Sequence, residues 1–120
     1  MDTLFLVVLV LEALFGIGFV LVPAAMLALL GVTLDDVSMS LARLLGSAMI
    51  SYPVLLWFAR RSDSLQFKKG AVYCLFTYFI VSAVLLVMTE LSGTMNALGW
   101  GTVAAHAAFA VWFGYFIVRR

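Results

Sequence analysis

The chain has 120 residues, of which 66% are hydrophobic and 11% charged, with a net charge of +1. A soluble domain of this size has too much surface to be covered by so few charges, so lipid is the solvent this composition requires. A near-zero net charge gives no footprint for a nucleic-acid partner, and a single cysteine, Cys74, excludes an internal disulfide or a Cys-x-x-Cys redox or zinc motif. Alone in an apolar run, Cys74 reads as a small packing residue.

A helix crosses about 30 Å of hydrocarbon in about 20 residues. The first apolar run, about Thr3 to Val22, follows Asp2 rather than a basic cluster and is interrupted by Glu12. It reads as a retained span rather than a cleaved signal segment. It ends at Pro23, which fixes its own φ and disfavours helix before it. The apolar stretch from Pro23 to Gly31 is too short to cross. With Pro at its start and Gly past its end, it predicts one or two helical turns lying in the interface.

The second span covers about Asp36 to Ala59. Thr33 is its expected N-cap, with Asp35 and Asp36 in the first turn, where the helix dipole favours acids. Pro53 falls inside this span, which a membrane helix tolerates. The third span covers about Leu65 to Thr89, with Asp63 and Gln66 as a candidate capping pair. The fourth covers about Met95 to Val118. The fold class predicted is all-α: a transmembrane four-helix bundle forming a single domain, with a short interfacial helix after span one.

Orientation follows from the basic residues. Arg60, Arg61, Lys68 and Lys69 cluster between spans two and three, and Arg119 and Arg120 end the chain. The other two connections carry Asp35, Asp36 and Glu90 without Lys or Arg. Basic loops stay cytoplasmic, which places both termini inside and argues against insertion in both orientations.

Three ionisable residues fall well inside the spans: Glu12, Arg43 and His106. A charge at the bilayer centre costs about 2.5 to 3.5 kcal/mol, so a partner or a function is expected. From the rise per residue, Glu12 lies about 14 Å from one end of its span and His106 about 16 Å from the opposite face, so both approach the midplane. Arg43 lies about 10 Å into span two. Glu12 shares a helical face with Phe5, Val8, Phe15, Gly16 and Phe19. His106 shares one with Gly99, Thr102, Phe109 and Phe113, while Arg43 is flanked by Gly46 and Ser47. Tyr78 and Ser82 form a stripe on span three. Small residues permit close helix approach and large rings can wall a pocket. The candidate binding cluster is therefore Glu12, Arg43, Ser47, Tyr78, Ser82, Thr102 and His106.

Plainer readings accompany each residue. Arg43 can snorkel to head groups or pair with Asp35 or Asp36, Glu12 and Arg43 can form a structural ion pair, and His106 can bond a backbone carbonyl or Thr102. One Glu and one His are too few ligands for a closed metal site. A haem would find His106 as its one axial ligand and no other mark. No Gly-x-Ser-x-Gly turn supports hydrolysis by Ser47 or Ser51. No catalytic motif is present, and no cofactor is predicted.

Pro23, the Leu29-Leu30-Gly31 that follows it, and the run Ala42-Arg43-Leu44-Leu45-Gly46 resemble the DoxX-like group of small four-helix bacterial membrane proteins. The resemblance extends over essentially the whole chain. It implies a four-helix bundle in a bacterial inner membrane, in a group some of whose members are associated with sulfur or quinone redox systems. Only Arg43 and Gly46 match a recurrent position, and no catalytic residue carries over. The function expected is a binding or accessory role: holding a lipid- or quinone-like amphiphile, or docking a larger complex or a second copy of the chain. The alternatives are a proton-coupled transporter using Glu12, and an enzyme using Glu12 and His106 as base and acid.

Overall fold

The computed structural model describes residues 1–119, and Arg120, part of the basic terminus used for orientation, lies outside the described residues. Five helices follow one another: α1 (Asp2–Leu21), α2 (Pro23–Ala28), α3 (Asp36–Arg61), α4 (Leu65–Leu91) and α5 (Gly99–Val118). No strand occurs among the described residues. Four of the helices, all but α2, are long and apolar enough to cross a membrane. Their outward surfaces are apolar as well: Leu14, Leu44, Phe58, Val84 and Val111 are all more than half exposed. Such a surface is stable against hydrocarbon and not against water. The protein is an integral membrane protein.

The chain divides into two compact units, one comprising Asp2–Arg61 and the other beginning at Ser62. In the first, α1 packs on α3 and α2 touches both. The buried positions of α1 include Leu4, Val8, Glu12 and Gly16, spaced by four, so a single stripe faces inward. On α3 the corresponding stripe is Ala42, Gly46, Met49, Pro53 and Leu56. The two meet at a glycine crossing. A Cβ on Gly46 would lie 2.8 Å from the Gly16 carbonyl oxygen and 2.9 Å from Val20 N, and one on Gly16 would lie 3.0 Å from the Gly46 oxygen. Close backbone approach through small residues is how membrane helices gain packing without a hydrophobic drive between them.

In the second unit α4 packs on α5. Phe79 is almost wholly buried and stacks on Phe113 at 5.8 Å, with Phe109 at 5.1 Å. Offset and edge contacts of this kind contribute about 0.5–1.5 kcal/mol beyond area burial.

Helix ends refine the sequence-based expectations. The α3 N-cap is Asp35, whose Oδ1 accepts from Ser38 N at 2.7 Å, and not Thr33, which stands two residues too early to reach that amide. Likewise Ser64 rather than Asp63 caps α4, accepting from Phe67 N, because it directly precedes the first helical residue. α5 starts at Gly99 rather than near Met95. Asn96 Oδ1 accepts from Leu98 N, and i→i+3 backbone bonds hold 96–101 in tight turns before the helix opens. Both α2 and α4 end in Schellman closures around left-handed glycines, Gly31 and Gly93, each with φ +74°. Val32 N bonds the Leu27 oxygen and Thr94 N the Thr89 oxygen, satisfying carbonyls that would otherwise be orphaned.

Candidate functional site

On α5, residues 99, 102, 106, 109 and 113 recur at helical spacing, so Thr102 and His106 share a face with Phe109 and Phe113. His106 is half-buried, and its Nδ1 lies 2.8 Å from the Thr102 carbonyl oxygen. A carbonyl only accepts, so Nδ1 carries the proton in this bond, and in the neutral ring Nε2 presents the lone pair. The Thr102 hydroxyl in turn donates to the Gly99 carbonyl at 2.6 Å. From α4, Phe79 meets the imidazole edge-on at 5.5 Å and Tyr78 lies 6.2 Å away, ring centre to ring centre. Ser82, one turn beyond Tyr78, is also half-buried. Tyr78, Thr102 and His106 thus belong to one aromatic-walled niche. A separate groove of about 240 Å³ runs along the same helix pair, lined by Phe76, Ile80, Ala83, Ala107, Ala110, Val111 and Gly114, with no polar side chain among them.

The first unit treats its predicted residues differently. Glu12 is 6% exposed, and its Oε2 is shielded with no hydrogen-bond partner among the described residues. Phe5, Val8 and Gly16 are buried on the same stripe, whereas Phe15 is exposed. Arg43 is also exposed, and so is Ser47, whose hydroxyl donates to the Leu44 carbonyl of its own helix at 2.7 Å. The Glu12–Arg43 ion pair, one of the alternatives the sequence left open, does not form. The glycine crossing fixes which side of α3 faces α1, and Arg43 then stands roughly a quarter-turn away from that stripe. Ser40, Ser51, Thr77 and Thr89 resemble Ser47 in returning their hydroxyls to carbonyls three or four residues back. A hydroxyl so satisfied is cheap to hold in hydrocarbon.

Glu90 has a place the sequence reading did not give it. It lies in the last turn of α4, 8% exposed, rather than in a loop. Its carboxyl group fills the space that a Cβ on Gly99 would occupy, against the first residue of α5. The helix dipole there favours negative charge, and the glycine nine residues on was the available signal. Cys74, read as a packing residue, lies on an exposed face of α4. No group of three His, Cys, Asp or Glu side chains that could hold a metal ion occurs among the described residues.

Comparison with protein-family models, curated proteins and solved structures gives no match.

Proposed function

We propose that the protein is a small polytopic membrane protein that holds a lipid- or quinone-like amphiphile against polar groups within the bilayer, alone or as an accessory subunit of a larger complex. The observation that supports this reading is the niche around His106. With Nδ1 occupied by the Thr102 carbonyl, Nε2 is left to accept from a hydroxyl, and the half-buried Tyr78 ring beside it offers a wall to a flat head group. The apolar groove on the same helix pair suits an alkyl or prenyl tail. On α5 its residues Ala107, Ala110 and Gly114 lie within about a quarter-turn of His106. The reading includes membership of the DoxX-like group, a bacterial inner membrane, and cytoplasmic termini, the last from the four basic residues gathered at the end of α3 and the start of α4.

Native mass spectrometry of gently purified protein tests it. A bound mass should be retained by the parent chain and lost in His106→Ala. A clean apo mass, with no partner in a pull-down, would overturn the proposal. One observation favours a second reading, proton-coupled transport: the buried, unpartnered Glu12 carboxyl within a span. Reconstituted protein should then show proton-driven flux that vanishes in Glu12→Gln, and absence of flux in the parent ends that reading.

A further inference from the structure

The last turns of α3 carry a polar feature distinct from the niche. Trp57, Arg60 and Arg61, with Asp2 at the start of α1, line a pocket of about 260 Å³ within the first unit. The Arg61 guanidinium lies over the Trp57 ring, with Cζ 4.0 Å from its centre, which holds the planar fork in a defined attitude. Arg60 is half-buried, and its Nε is shielded with no hydrogen-bond partner among the described residues. A shielded donor is costly until an acceptor meets it.

Three features define that acceptor. Two guanidiniums call for oxygens in a fork-matching array, which phosphate supplies. Two arginines beside one carboxylate leave the lining net basic, which suits an anion. The site also stands where a membrane helix leaves the apolar layer, the depth of lipid head groups, where an indole ring is favoured.

We propose that the Trp57–Arg60–Arg61 pocket binds the phosphodiester head group of an anionic phospholipid. The site is independent of His106 and of whatever ligand that residue holds.

The test uses the full chain in mild detergent, offered phosphatidylglycerol and phosphatidylcholine together and read by native mass spectrometry. Phosphatidylglycerol should be retained preferentially, and Arg60→Gln with Arg61→Gln should weaken its retention about twenty-fivefold, from roughly a fivefold loss for each arginine. Arg119→Gln, which removes another basic residue near a helix end, should leave retention unchanged. A measurement that spares both arginines uses a Trp100→Phe, Trp112→Phe background, where brominated phosphatidylglycerol should quench Trp57 more than brominated phosphatidylcholine. Equal retention of the two lipids, equal quenching, or indifference to the double substitution would overturn the proposal. Displacement of the lipid by inorganic phosphate would assign the pocket to a free anion and overturn it as well.

Discussion

The glycine crossing between α1 and α3 makes a quantitative claim about Gly46→Ala. The added methyl group would stand 2.8 Å from both the Gly16 carbonyl oxygen and the Phe19 Cβ, and 2.9 Å from Val20 N. None of these atoms can rotate away, so relief requires the two helices to separate by a few tenths of an ångström along their contact. Overpacking of this kind costs about 1–3 kcal/mol. Against that, alanine is about 1 kcal/mol better than glycine as a helix former. The net expectation is a loss of about 0–2 kcal/mol, up to roughly thirtyfold in the folding equilibrium. Gly70 provides the comparison, because nothing lies within 4 Å of its added methyl group. Gly70→Ala should be neutral or stabilising. Unfolding in mixed micelles of dodecyl sulfate and dodecylmaltoside, followed by circular dichroism, measures both. Gly16→Ala should not add fully to Gly46→Ala, since the first substitution already opens the shared contact. If Gly46→Ala proves as stable as Gly70→Ala, the close crossing is wrong.

Two further outcomes follow from the helix starts. Asp35 has its pKa lowered by its side-chain and backbone hydrogen bonds with Ser38, so its cap contributes fully above the ordinary carboxylate range and is lost as pH falls through the folded-state value. Hydrogen-exchange protection of Ser38 and its neighbours, taken relative to the intrinsic rate at each pH, should therefore fall in acid, and Asp35→Asn, which keeps an acceptor without titrating, should abolish that change. Ser64→Ala removes the hydroxyl that accepts from Phe67 N and should cost about 1 kcal/mol, read as a shift in the same micelle titration.

Much of this architecture was legible in the residues, for reasons that differ by element. Apolar runs of about 20 residues, broken only by isolated polar groups, marked the four spans, because only a full-length helix satisfies its backbone in hydrocarbon. Pro23 and Gly31 marked α2 because each has a backbone role few other residues can fill. The face of α5 was readable too, since His106, Phe109 and Phe113 recur at helical spacing and the rings do lie toward Phe79. The orientation of α3 about its own axis was not. Arg43 and Gly46 sit close enough in angle that either could have led a face, and the decision came from a backbone contact with Gly16 that no periodicity records. Glu90 escaped for a related reason. A charge at the end of an apolar run reads as the start of a loop, whereas α4 continues to Leu91 and Gly99 leaves room for the carboxyl group.

The helices are unequal in length, and each unit combines a 20-residue span, α1 or α5, with a longer one, α3 at 26 residues or α4 at 27. At 1.5 Å per residue the short spans match about 30 Å of hydrocarbon, while the long ones exceed it by roughly 10 Å. The surplus in α3 ends in Arg60 and Arg61, and α4 carries Lys68 and Lys69 in its opening turns. Cationic groups here are mounted on rigid stalks and not on slack connecting chain. A bilayer that thickens past about 30 Å would outreach the short spans at once while the long ones would still cross it, so the fold's allowance for membrane depth lies in its long members alone.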